Sequence, residues 1–170
     1  GCGRGDFLRV AARHFEVAGV EPNLELADDA EGDGPIHCGV VRNAPTDDSW
    51  RNFDVVASFH VIEHVNSPKE FIETIGERLK PGGLFVLETP DIDSVPFRLF
   101  RSRWRQFIPE HYYFFDPTTL RRLLEDNGFR IRQMSHVGKH ASIGLIFNRL
   151  GRRFRVFRRG GSIRLPGTGR

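Results

Sequence analysis

Glycines stand at alternate positions in Gly1-Cys2-Gly3-Arg4-Gly5, and an acidic residue, Glu21, closes the apolar stretch that follows. Alternating glycines let a backbone turn tightly and approach a ligand where any Cβ would collide. Phe7 to Phe15 reads as a short helix with Asp6 as its N-cap. Phe15-Glu16-Val17-Ala18-Gly19-Val20 then reads as a strand ending on Glu21. A glycine turn, a helix, a strand and a carboxylate in that order make the nucleotide-binding half of a Rossmann-like unit. In such a unit the glycines admit the ligand and the carboxylate accepts hydrogen bonds from ribose hydroxyls.

The spacing leans away from dinucleotides, whose sites read G-x-G-x-x-G with a pyrophosphate at the helix start. Here the run is G-x-G-x-G, and Asp6 puts a negative charge where the pyrophosphate would sit. A ligand with a sulfonium and an amino acid tail suits that charge better. A nicotinamide-dependent oxidoreductase stands as the alternative, and a non-catalytic fragment as a second one.

The rest of the chain supports one domain over residues 1–170. Residues 22–52 are polar and turn-rich, with a weak strand near Ile36 to Val41. Phe53-Asp54-Val55-Val56-Ala57-Ser58-Phe59 has the continuous apolar character of a buried parallel strand. Phe71, Ile72, Ile75 and Leu79 then recur at helical spacing behind a Ser67 cap, with Pro68 at the first helical position and Glu70 placed to complete a capping box. Lys80-Pro81-Gly82-Gly83 ends that helix, and Leu84 to Glu88 forms the next strand, which predicts a right-handed βαβ crossover. A helix over Thr118 to Asn127, ended by Gly128, and a strand over Phe129 to Met134 follow.

Residues 91–117 form an aromatic, irregular insertion after a core strand, the place for a lid over a ligand crevice. Charge is uneven: residues 1–126 sum to −8, whereas residues 127–170 carry eleven basic groups and no acid. The basic segment 145–170, with an amphipathic helix expected from Leu145 to Phe157, predicts at most weak contact with an anionic membrane and no specific nucleic acid. Two cysteines are too few for a disulfide scaffold, and no apolar run reaches membrane-span length, so a cytoplasmic protein acting on a small molecule is expected.

Taken in order, these segments resemble the class I S-adenosylmethionine-dependent methyltransferases. Gly1-Cys2-Gly3-Arg4-Gly5 resembles their glycine loop, Val20-Glu21-Pro22 their second-strand acidic end, and Phe53-Asp54-Val55-Val56 their fourth strand. Ile62-Glu63-His64-Val65, Leu79-Lys80-Pro81-Gly82-Gly83, His111, Asp116-Pro117-Thr118-Thr119-Leu120 and Asn127-Gly128-Phe129 are similar to the small-molecule branch that includes ubiquinone-biosynthesis O-methyltransferases. The resemblance implies an α/β Rossmann-like open, mostly parallel sheet with helices on both faces. It also implies truncation at both ends, with the first strand missing before Gly1 and the seventh incomplete at Ile163 to Leu165. It implies S-adenosylmethionine as cofactor and methyl transfer to an oxygen of a small molecule.

By that resemblance Gly1, Cys2, Gly3 and Gly5 lie beneath the methionine part and Glu21, with Pro22 beside it, binds the ribose. Asn43 and Ala44 lie near adenine, and Phe59 and His60 border the sulfonium. The family's acid after its third strand is replaced by Val40 or Asn43. In the insertion, His111 is placed by its ordinary pKa to take a hydroxyl proton. His64 is a second pocket candidate, while Trp104 and Tyr112 are candidate substrate-lining aromatics. His60-Val61-Ile62-Glu63-His64 also spells the H-x-x-E-H zinc motif, which needs both histidines on one helical face. The strand ending at Phe59 forbids that, and no metal is expected.

Overall fold

The computed structural model describes residues 1–30 and 34–136. Residues Gly1–Met134 form one compact unit. The expected helix at Leu145 to Phe157 and strand at Ile163 to Leu165 lie outside the described residues.

Helix α1 (Asp6–Ala11) leads to strand β1 (Gly19–Glu21), helix α2 (Leu24–Asp28) and strand β2 (Ile36–Cys38), which pairs parallel to β1. Strand β3 (Phe53–Phe59), helix α3 (Pro68–Arg78) and strand β4 (Leu79–Glu88) then form a parallel βαβ unit. Helix α4 (Val95–Phe100) lies in the insertion, and helix α5 (Pro117–Asp126) follows it. No helix among the described residues is long and apolar enough to cross a membrane.

The parallel α/β architecture is the one expected, but the described strands form two parallel pairs, β1–β2 and β3–β4. Residues Gly19 and Glu21 bond β2, so the Val20 carbonyl points away from it and accepts from Cys2 N–H at 2.8 Å. That bond hangs the glycine loop on the other edge of β1. On the β3–β4 pair, α3 and α5 cover one face: Ile72, Leu124, Phe115 and Ile62 are buried there against Phe85 and Leu87. Val55, Phe59, Leu84 and Val86 on the opposite face are exposed among the described residues, and Phe7 of α1 meets Phe59 edge to face at 5.3 Å.

Several local expectations need correction. Asp6 is not a cap: Gly5, in the left-handed region at φ 80, starts α1, and Asp6 pairs with Arg9 at 2.8 Å. A left-handed N-cap demands a glycine rather than a side-chain acceptor. The Ser67 hydroxyl does cap α3, accepting from Glu70 N–H at 3.3 Å, but the Glu70 carboxylate pairs with Arg42 at 2.8 Å in place of closing a capping box. Lys80 to Gly83 do not merely stop the helix; they form a bulge inside β4. Phe53 pairs with Leu79 and Val55 with Leu84, so the extra residues are shed there while Lys80 binds both Asp54 oxygens at 2.9 Å. Residues 129–134 form no strand: they have no pairing partner among the described residues, and Phe129 and Ile131 instead pack on the core.

Arg78, at the end of α3, holds the connection between β2 and β3. Its buried guanidinium donates to the carbonyls of Val41 at 3.3 Å, Ala44 at 2.9 Å and Trp50 at 3.1 Å, and to that of Pro45. Four backbone dipoles answer this charge. Substituting Arg78→Met strips the donors from the Ala44 and Trp50 carbonyls in a buried space, where each unsatisfied acceptor costs about 1–3 kcal/mol. We expect a loss of at least about 2 kcal/mol in urea unfolding, and a change below about 1 kcal/mol would refute this role.

Candidate functional site

The glycine loop and the ends of β1 and β3 meet at one place. Gly3 sits at φ 57 with open space where its Cβ would project, a conformation that β-carbons disfavour. Glu21 is 6% exposed, and its carboxylate bridges two backbone amides. Gly3 N–H donates to Oε2 at 2.8 Å and Asn23 N–H to Oε1 at 3.0 Å. Each oxygen keeps a second lone pair for a further donor. A Cβ on Gly1 would lie 3.1 Å from Val61 Cγ2 and 3.8 Å from Glu21 Oε2, so the loop runs against the residue that follows His60. Burial raises the Cys2 thiol above its usual range.

His60 is the pivot between strand and loop. It stands at φ 56, a position few non-glycine residues adopt, and its N–H extends the β3–β4 ladder to Glu88 O at 2.9 Å. Its ring lies between two carboxylates, with Nδ1 at 3.2 Å from Glu63 Oε1 and Nε2 at 3.2 Å from Glu88 Oε1. Glu63 is 1% exposed. Its other oxygen, Oε2, accepts from Thr89 Oγ1 at 3.0 Å. The Glu63 backbone carbonyl accepts from Tyr112 N–H at 2.8 Å and Tyr113 N–H at 3.2 Å.

His64, on the same 3₁₀ turn, donates Nδ1–H to Glu110 O at 2.8 Å. The His64 and His111 rings meet edge to face at 4.5 Å. His111 is 9% exposed, and its Nδ1 is buried without a hydrogen-bond partner among the described residues. The insertion that carries His111 is pinched at its base: Asp91 and Phe115 form a parallel bridge, with Ile92 N–H donating to Phe115 O at 3.0 Å. Inside it Trp104 is buried against Phe97 at 5.4 Å, Phe107 at 6.1 Å and Phe114 at 6.4 Å.

The structure therefore brings together Gly1, Cys2, Gly3, Gly5 and Glu21 with the strand end at Phe59 and His60, and separately pairs His64 with His111. Pro22 and Asn43 are on the surface. Ala44 is buried and its carbonyl is taken by Arg78. Trp104 belongs to the aromatic cluster, and Tyr112, 62% exposed, contributes its backbone to Glu63. Thr89 and Glu88 are polar residues that sequence reasoning passed over, and Glu63, which it noted only within motifs, proves buried. A signal existed for the first two: Glu88 and Thr89 stand at the C-terminal end of a parallel strand, where open α/β sheets place ligands.

A parallel α/β unit with a glycine loop tied to a buried carboxylate at the strand ends defines a nucleotide-type binding domain. Residues 1–134 match the model of the methyltransferase domain family, and the chain belongs to that family, as a class I S-adenosylmethionine-dependent member. A mitochondrial ubiquinone biosynthesis O-methyltransferase of Mus musculus is 25% identical over 165 residues, covering 87% of this chain and 42% of the mouse protein. A ubiquinone biosynthesis O-methyltransferase of Caulobacter sp. (strain K31) is 34% identical over 86 residues, covering 48% of this chain and 27% of its own. The chain thus spans less than half the length of these curated relatives. Among solved structures, a SAM-dependent methyltransferase from Thermotoga maritima superposes with a TM-score of 0.63 at 25% identity, over 77% of this chain and 61% of that one. The nicotinamide alternative is not favoured by any of these likenesses.

Proposed function

We propose that this chain transfers a methyl group from S-adenosylmethionine to an oxygen of a small-molecule acceptor. The observation that carries the reading is Glu21, buried at the end of β1 and clamped to the glycine loop through Gly3. The site fits the cofactor: a cradle free of side chains at Gly3, beside a carboxylate whose remaining lone pairs suit the two hydroxyls of a ribose. Gly1, Cys2, Gly3 and Gly5 would carry the methionine part, Glu21 and Pro22 the ribose edge, and Asn43 and the Ala44 backbone the adenine. Phe59 and His60 would border the sulfonium.

When bound, the cofactor would supply a methyl on positive sulfur, whose carbon an oxygen lone pair would attack in line, with S-adenosylhomocysteine as the leaving group. The chain's own task is alignment, since methyl transfer between well-positioned groups draws much of its rate from proximity. The acceptor oxygen is placed toward His64 and His111, where the polar cluster stabilises it as its proton departs. Trp104 shapes the insertion behind that oxygen, and Tyr112 covers the acceptor from outside. An oxygen acceptor, rather than nitrogen or carbon, is supported by the names of the curated relatives. Cytoplasmic placement is supported by the free thiols Cys2 and Cys38. No specific nucleic acid partner belongs to this reading, and the basic segment 145–170 is assigned at most a weak contact with anionic membranes.

Calorimetry with S-adenosylhomocysteine tests the cofactor half. Charge-assisted hydrogen bonds contribute about 1.5–3 kcal/mol each, so Glu21→Ala should weaken binding by at least about tenfold; unchanged affinity would sink the assignment. Transfer of labelled methyl to a phenolic acceptor tests the other half. His111→Ala and Tyr112→Ala should lower transfer while leaving S-adenosylhomocysteine affinity nearly intact. If both variants instead melt early and lose the cofactor in parallel, these residues serve the core and not the acceptor.

A further inference from the structure

The open face of the β3–β4 pair is apolar until its last row. Val55 pairs in register with Leu84, Ala57 with Val86 and Phe59 with Glu88, so these side chains leave the same face. Glu88 thus puts a carboxylate at the C-terminal end of an otherwise apolar face, directly beside the Phe59 ring. Phe7 of α1 completes the group, its ring meeting that of Phe59 edge to face at 5.3 Å. We infer that Phe7, Phe59 and Glu88 form a charge-selective wall for the sulfur of the cofactor. It binds the sulfonium of S-adenosylmethionine in preference to the neutral thioether of S-adenosylhomocysteine. The inference rests on the proposed methyl transfer, and it gives Phe7 and Glu88 a part that the sequence resemblance did not.

Three observations carry it. The first is place. Gly5 caps α1, so Phe7 lies in the first turn after the glycine loop, and Phe59 ends β3 next to His60. Strand C-terminal ends are where open α/β sheets take their ligands. The second is availability: Phe7 is 53% exposed and Phe59 39%, whereas Trp104 is buried among the rings of the insertion. The third is that the carboxylate is held in position. Glu88 Oε1 meets His60 Nε2 at 3.2 Å, and the Glu88 carbonyl accepts from His60 N–H at 2.9 Å.

The selectivity follows from charge. An aromatic ring carries negative potential on its face, and a cation over it within about 6 Å gains an attraction that a neutral group does not. A neighbouring carboxylate adds a Coulomb attraction for the same charge. S-adenosylmethionine and S-adenosylhomocysteine share their adenosine and amino acid parts and differ in the methyl and the positive charge at sulfur. Contacts from Glu21 and the glycine loop are common to both and cannot tell them apart. The wall can. Once the methyl has gone the attraction lapses, which favours exchange of product for fresh cofactor. The chemical step gains nothing from it, because positive charge is leaving sulfur in the transition state.

Calorimetry on the full chain without acceptor, with S-adenosylmethionine and separately with S-adenosylhomocysteine, reads the selectivity as the ratio of the two dissociation constants. Phe59→Leu and Phe7→Leu keep apolar bulk and remove a ring, while Glu88→Gln keeps the shape and removes the charge. Each should weaken S-adenosylmethionine by at least about threefold more than S-adenosylhomocysteine. A purely structural role moves both ligands alike, so equal losses, or no loss, would overturn the inference. Phe7 is half-exposed, so Phe7→Leu and Glu88→Gln carry the test if the melting temperature shows Phe59→Leu to be unfolded. Binding of both ligands with an unchanged ratio in the variants overturns the wall and leaves methyl transfer standing. Wild-type protein that binds neither ligand removes the cofactor reading and the wall with it.

Discussion

The Glu63 carboxylate, 1% exposed, is the point from which the catalytic side of this fold is hung. A charge taken out of water is tolerated only when its oxygens find donors in fixed places. Here those donors are His60 at the end of β3 and Thr89 at the end of β4, while the carbonyl of the same residue receives two amides from the insertion. Strand β3, strand β4 and residues 112–113 are thereby located against one residue. Neutralising that carboxylate would weaken its hold on His60 and Thr89, whereas moving the backbone that carries it would disturb residues 112–113 as well.

A positive counterpart works on the far side of α3. Arg78 gathers four carbonyls from residues 41–50 and so fixes the turn that carries Asn43 and Ala44. Helix α3 is therefore tied by charge at its last residue to the loop after β2 and packed through Ile72 on the core beneath β4. Arg78 bonds four backbone carbonyls, and Glu63 bonds His60 and Thr89, contacts that place both charges at defined angles instead of along a flexible surface contact.

The unit from Phe53 to Glu88 was legible because its signals are local and agree. An apolar run, a serine cap, a proline at the first helical position and a glycine pair all point to strand, helix and strand. The glycine loop was legible as chemistry, since only glycines can occupy φ 57 and φ 80 without strain. Its helix cap was misread because the residue that sets the start is Gly5 and not the acidic neighbour. Phe129 to Met134 has strand composition, yet a strand exists only with a neighbour to pair with, and pairing is a property of tertiary context. The burial of Glu63 was invisible for a related reason. Its donors come from Thr89, 26 positions away, and from His60, and no periodicity announces a buried charge. His64 and His111 meet across a separation that no short motif spans.

The bridge between Asp91 and Phe115 gives the insertion a property of a different kind. Because the chain leaves and returns at one point, the strand ends beneath it do not register how many residues lie between. Closing a flexible loop of twice the length adds only about 0.6 kcal/mol of entropic penalty. The segment between that bridge and Tyr112 can accordingly lengthen, shorten or exchange its aromatics without shifting Glu21 or the glycine loop. The fold thus has a nucleotide end and an insertion joined at a pinch, an arrangement in which new acceptors can be explored without rebuilding the nucleotide end.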